Sequence, residues 1–176
     1  MILDGLLAFD PIGTSVIPNG TTQDSTNTID LHMLGIPVLA NNQGARDIGI
    51  GDDPALKLLV QVTTAYTTGG TSLSVTLEGA TDNGSGAPAA FSAWWASPAY
   101  AVATLTLGAR LMDMDMPRPP AGIAVPRFLK LVYTSVGALV AGKLAAFIVL
   151  DRMDQMYQST GNATMGGYPA GINVAN

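Results

Sequence analysis

From Leu56 to Tyr66 the chain alternates without a break. Leu56, Leu58, Val60, Val62, Thr64 and Tyr66 fall on one face of an extended backbone, and Lys57, Leu59, Gln61, Thr63 and Ala65 on the other. A period of two sustained this long, rich in β-branched residues, predicts a half-buried strand. A strand must pair its backbone N–H and C=O groups, so the neighbours of Leu56–Tyr66 decide the architecture. The approach to it, Gly44-Ala45-Arg46-Asp47-Ile48-Gly49, is polar and glycine-rich.

The nearest pairing signal lies just downstream. Thr67-Thr68-Gly69-Gly70 leads into a second alternating run, with Leu73, Val75 and Leu77 facing one way and Ser72, Ser74, Thr76 and Glu78 the other. Glycines between two such runs predict a hairpin, because glycine reaches positive φ without strain. Leu73–Glu78 is therefore the expected antiparallel partner. Further strands are expected at Thr28–Leu31, Val102–Leu107, Arg127–Thr134 and Lys143–Asp151. Met1–Phe9 reads as a first strand or as an anchor on a neighbour. Residues 10–28 read as irregular or extended, with at most an edge strand near Ser15–Ile17. Pro37 argues against a central strand in 32–43.

Residues 79–90 and Gly108–Pro126 read as loops, the second carrying four prolines. In Phe91–Tyr100 the adjacent Trp94 and Trp95 point to opposite faces of an extended chain, so at most one is expected in the core. A short helix is possible at Asp151–Gln158, ahead of an extended tail over 159–176. Seven or eight short strands with turn-rich connections predict an all-β sandwich or barrel. A chain of 176 residues suggests a single domain.

Composition narrows the function. There are no cysteines, which excludes disulfides and thiolate metal sites. Charged residues make up only 12%, against about 25% in an ordinary domain. Such a chain has surface to hide in a partner. The net charge is −5, and the first base is Arg46, preceded by Asp4, Asp10, Asp24 and Asp30. The last base is Arg152. This distribution opposes nucleic-acid binding, which needs clustered Lys and Arg, and opposes a basic secretory leader. The longest apolar run, Val136–Leu150, is shorter than the ~20 residues of a membrane span.

Catalytic signals are weak. His32 is the only histidine and has no orienting acid beside it. Asp52-Asp53 precedes a proline and reads as a turn. Met112-Asp113-Met114-Asp115-Met116 alternates as an edge strand, or an arm lying on a partner, would. Asp82-Asn83-Gly84 lacks the remaining positions of a calcium loop, and Gly49-Ile50-Gly51 lacks the third glycine of a dinucleotide site. Arg46-Asp47 is either a local surface pair or an intersubunit contact. Trp94, Trp95 and Tyr100 motivate an alternative, a carbohydrate- or receptor-binding module on a β-sandwich.

The order of segments carries a resemblance. Met1-Ile2-Leu3-Asp4, Ile29-Asp30-Leu31, Gly44–Gly49, Leu58–Thr63, Phe128–Tyr133, Ala141–Leu144, Val149–Asp151 and Tyr168–Val174 occur collinearly over nearly the whole chain. Together they resemble the capsid cement (decoration) proteins of tailed phages, of the Bordetella-phage type. Stretches 32–43, 79–100 and 108–126 depart from that pattern. The resemblance implies a jelly-roll β-sandwich of about eight antiparallel strands with extended N- and C-terminal arms, within 1–30 and 159–176. It implies a non-enzymatic virion protein, made in the host cytoplasm and placed on the outer surface of an icosahedral head. Its partners would be the major capsid protein and itself, as a homo-dimer or homo-trimer at symmetry axes, without nucleic acid, membrane or cofactor. The expected contact residues are Ile2, Leu3, Arg46, Asp47, Tyr168, Ile172 and Val174.

Overall fold

The computed structural model describes residues 7–31, 56–67, 69–118, 121–122 and 124–149. These hold β1 (Ala8–Ser15), β2 (Thr22–Asp24), β3 (Ile29–Asp30), β4 (Lys57–Thr64), β5 (Gly70–Ala80), β6 (Ser92–Ala96), β7 (Tyr100–Ala101), β8 (Arg110–Asp115), β9 (Phe128–Gly137) and β10 (Lys143–Val149). One antiparallel sheet runs β1-β10-β4-β8. The other runs β2-β9-β5-β6, with β3 also on β9 and β7 also on β5.

Strands β2 and β3 follow one another along β9, and β6 and β7 along β5. Each pair fills one position, so the ten strands occupy eight. In chain order these positions lie 1-8-3-6 in one sheet and 2-7-4-5 in the other. That interleaving is the jelly roll.

The periodicities explain the layers. Leu58, Val60 and Val62 of β4 enter the space between the sheets and meet Leu73, Val75 and Leu77 of β5. Leu129, Leu131 and Tyr133 of β9 and Leu144, Ala146 and Ile148 of β10 complete the same core. Side chains of the opposite parity, Leu59, Ala145, Phe147 and Val149, join Ala8 in a second buried cluster on the outer face of the first sheet. Strand β4 is thus interior, between β10 and β8, and apolar on both faces.

The expected β4–β5 hairpin does not form. Strands β4 and β5 lie in different sheets, and the 65–69 loop crosses between them. Its glycines serve close approach. A Cβ on Gly69 would lie 2.3 Å from Val140 Cγ2, and one on Gly70 would lie 2.7 Å from Leu139 Cδ2.

Other readings change for equally local reasons. Strand β1 runs through Pro11 and Gly13, where irregular chain was expected. It is an edge strand with register shifts on both sides of Asp10, which accommodate a residue without an N–H. The expected strand at Val102–Leu107 is instead a 3-10 turn over Val102–Thr104. The expected loop 108–126 contains β8, whose Met-Asp alternation forms the other edge of the first sheet. Met112 and Met116 are buried, while Asp113 pairs with Arg110 and Asp115 with Lys57.

Both tryptophans reach one core. Leu77 pairs with Trp95 and Glu78 with Ala93, so Trp94 is the extra residue of a bulge. Trp94 is buried in the main cluster, and Trp95 packs half-buried against it.

Candidate functional site

Ile2, Leu3, Arg46, Asp47, Tyr168, Ile172 and Val174 lie outside the described residues, as do His32, Asp52, Asp53 and the 151–158 segment. The surface that is described divides sharply by charge.

One end of the sandwich is ionic. There Arg127 donates from Nε to Asp30 Oδ1 and from a terminal nitrogen to Asp30 Oδ2, each at 2.9 Å. Its other terminal nitrogen reaches Asp82 Oδ2. Asp82 Oδ1 accepts from the amides of Gly84 at 2.8 Å and Gly86 at 3.0 Å. The Gly84 amide leads in holding the Asp82 carboxyl below the usual range, with Gly86 and Arg127 adding to it. Hydrogen bonding to Asp30 leads in pushing the Arg127 guanidinium up. Asp82-Asn83-Gly84 is therefore a turn latched to β3 through Arg127.

Nearby on the outer face, Lys130 lies 2.9 Å from Asp24 and 3.4 Å from Glu78. Burial opposes the Lys130 ammonium, but the two carboxylates outweigh it and raise its pKa. Its Nζ also sits 4.6 Å over the Phe91 ring.

A polar cluster lies in the interior. Asp10, 1% exposed, accepts from the Thr26 amide at 2.9 Å, from Thr26 Oγ1 at 2.7 Å and from Tyr133 Oη at 2.5 Å. Tyr66 Oη donates to the Val16 carbonyl at 2.9 Å. Burial, then the charge of Asp10, pushes both the Tyr66 and Tyr133 hydroxyls well above the tyrosine range. The Tyr133–Asp10 bond ties the two sheets together, and each of these polar groups is satisfied within the protein.

The loops at the opposite end carry no charge, and Lys143 at the start of β10 and Arg110 at the start of β8 border them. Residues 16–21, 65–70, 102–109 and 136–142 contain no Asp, Glu, Lys, Arg or His. The fold gathers them. Asn19 bridges to Ala138, the Leu139 amide donates to the Pro18 carbonyl, and the Tyr66 amide donates to the Leu105 carbonyl. Ser135 Oγ lies 2.9 Å from the Pro18 carbonyl and accepts from the Gly20 amide at 3.1 Å. Gly142 packs so closely on the Tyr66 ring that a Cβ would fall 2.3 Å from it.

Exposed apolar side chains stand on this frame: Ile17 at 43%, Leu107 at 72%, Val136 at 61% and Val140 at 63%. Beside them is an open hollow of about 600 Å³ between Tyr66, Gly69, Gly70, Val102, Ala103 and Thr106. Nothing in that lining donates or accepts protons at ordinary pH. What the surface offers is apolar contact area on braced loops. Sequence reading missed it, although its signal, four charge-free turn segments holding Leu, Ile and Val, was in view.

The aromatic residues that motivated sugar binding are engaged elsewhere. Trp94 is in the core, and Tyr100, half-buried, donates its hydroxyl to the Leu111 carbonyl. Among the described residues, no group of three or more His, Asp or Glu is placed to hold a metal ion.

A family model, Bbp16, matches residues 19–148. No curated protein matches the sequence. The matched span runs from the loop before β2 to all but the last residue of β10, and so contains most of both sheets. By that match the chain belongs to the Bbp16 family, a family of Bordetella phage proteins.

Proposed function

We propose that this protein is a structural component of the virion. It binds the outer surface of the phage head across neighbouring major capsid proteins and stabilises the shell against the pressure of packaged DNA. Membership of a phage family supports this reading, as does the collinear resemblance to cement proteins. The observation that carries it is the gathering of exposed Ile17, Leu107, Val136 and Val140 on charge-free, internally braced loops at one end. Exposed apolar side chains gathered at one end of a domain are surface that a protein partner can cover.

Such a protein acts through area and repetition. A stable contact buries about 1,600 Å², and repeating it over a closed lattice adds avidity. The test is to mix the purified full-length protein with heads that lack it. Saturable co-sedimentation at a fixed ratio, together with a higher temperature of DNA release, is the expected result. Heads that neither retain the protein nor gain thermal stability would rule the proposal out.

A further inference from the structure

We infer that Asn83-Gly84 is a self-modification site: the Gly84 amide nitrogen attacks the Asn83 side chain and converts it, through a cyclic imide, to isoaspartate and aspartate. This holds whatever the chain assembles with.

The turn assembles the parts that such an attack needs. Gly84 stands at φ +90°, and a Cβ on it would meet nothing within 4 Å, so no side chain obstructs ring closure. Residues 81–86 are exposed, so water reaches the site. The Gly84 amide, whose proton must leave, donates to Asp82 Oδ1 at 2.8 Å. That lies within the reach required of a general base. Arg127 holds the other carboxylate oxygen, and the Gly86 amide adds a bond to Oδ1, so the base is fixed beside the nucleophile. Negative charge builds on Asn83 Oδ1 during attack. That oxygen accepts from the Ser85 amide at 2.9 Å and from Ser85 Oγ at 2.6 Å. Two donors on one such oxygen form an oxyanion hole. Nucleophile, base and oxyanion donors thus surround one carbonyl carbon.

The chemistry balances with water as the only co-reactant. The Gly84 nitrogen bonds to Asn83 Cγ as its proton passes to Asp82. The Cγ–Nδ2 bond breaks, and Nδ2 takes that proton and leaves as ammonia. Water then opens the imide at either carbonyl carbon bonded to the ring nitrogen, giving its hydroxyl to carbon and its proton to nitrogen. Opening at Cγ leaves aspartate. Opening at the main-chain carbon leaves isoaspartate, whose main chain is one methylene longer. That methylene falls inside the turn closed by the Asn83 amide on the Ala87 carbonyl and by the Asp82–Pro88 bridge. Modification therefore loosens the turn that Arg127 latches to β3.

The other Asn-Gly pair, Asn19-Gly20, is an internal control. The Gly20 amide donates to Ser135 Oγ and to the Gly137 carbonyl, each at 3.1 Å. A hydroxyl and a carbonyl oxygen are far weaker bases than a carboxylate, so this amide is held without being activated.

The test is to keep the full-length protein at neutral pH in heavy-oxygen water and map its peptides by mass spectrometry with isoaspartate detection. Label and isoaspartate should accumulate at position 83, and at least ~10-fold more slowly at position 19, for want of a general base. Position 83 should react faster in the native protein than in the guanidinium-unfolded chain, where Asp82 and Ser85 are no longer placed. Ser85→Ala, which keeps the Arg127 latch, should slow the native reaction by ~10-fold, less than in an enclosed site because its main-chain donor remains. Asp82→Ala should slow it as well.

An unlabelled position 83 overturns the inference. So does a native rate at or below the unfolded rate, which would leave only the ordinary lability of any Asn-Gly pair. A Ser85→Ala variant that reacts at the wild-type rate also overturns it. If Asp82→Ala disturbs the turn, as shown by circular dichroism, Ser85→Ala decides alone.

Discussion

Tyr133 on β9 donates its hydroxyl to Asp10 on β1 at 2.5 Å, and the two strands belong to opposite sheets. The bond therefore spans the sandwich. It gives a buried carboxylate its third donor, after the amide and hydroxyl of Thr26. Tyr133 is fully buried, so water cannot take its place. Tyr133→Phe should lower unfolding free energy by about 1.5–3 kcal/mol, the usual worth of a hydrogen bond to a charged group. Urea unfolding followed by far-UV circular dichroism measures this. A loss below about 0.5 kcal/mol would mean that the latch has no energetic weight.

Alkaline pH should loosen the same interior. The hydroxyls of Tyr66 and Tyr133 are both raised, chiefly by burial. A raised group contributes stability that is complete below its unfolded value, about 10 for tyrosine. That contribution declines as pH climbs toward the folded value, because only the unfolded chain releases the proton. Stability should therefore fall above about pH 10, and Tyr66→Phe should make the decline shallower. Equal slopes for wild type and variant would exclude Tyr66 as a source.

Acid acts at the ionic end with the opposite sign. Asp82 is held low, first by the Gly84 amide, with Gly86 and Arg127 contributing. Its contribution is present above the unfolded carboxylate value, about 3.9, and is lost as pH falls through the lower folded value. Asp82→Asn should flatten the pH dependence of stability below about pH 4. Arg127→Lys should not restore the latch, since an ammonium cannot span two carboxylates as a planar fork does. Hydrogen exchange at the Gly84 and Gly86 amides should quicken in both variants. Unchanged exchange in Arg127→Lys would show that the turn holds without the fork.

The bulge in β6 makes Gly79 indispensable. A Cβ there would lie 2.7 Å from Trp94 Cε2 and 2.8 Å from Cζ2. Gly79→Ala should displace the indole and cost about 1–3 kcal/mol, the range for overpacking a core. Tryptophan fluorescence should shift to the red as Trp94 gains solvent. An unshifted spectrum at wild-type stability would show that the site has slack.

The parts of the fold that could be read beforehand share one property. Strands β4, β5, β9 and β10 each send one residue parity into the core between the sheets, which imposes a period of two on the sequence, most plainly in β5, whose other parity stays partly exposed. Edge strands are under weaker constraint. Strand β1 carries Pro11 and Gly13 and so reads as irregular chain, while β8 sits in a proline-rich stretch where only the Met112–Met116 alternation signals an edge strand. Gly69-Gly70 reads as a hairpin because local chemistry cannot distinguish a turn within a sheet from a crossover between sheets. The difference lies in residues 136–140, nearly seventy positions away. Trp94 and Trp95 share a core only because of a bulge, which a period of two cannot encode. The charge-free loops were legible in pieces, as four segments without charge, but only the interleaved topology brings them to one end.

The pairing of β1 with β10 also sets a timetable. Ala8 finds its partner in Phe147, which follows it by 139 residues. At ~5–20 residues per second of synthesis, β1 waits about 7 to 28 s for the strand that covers it. Throughout that wait it is an unpaired edge, open to the wrong neighbour. Pro11 denies such a neighbour one hydrogen bond, and Asp10 sets a bare carboxylate beside it. Pro11, which breaks the alternation of β1, is thus also the kind of residue that disfavours edge-to-edge pairing of an uncovered strand.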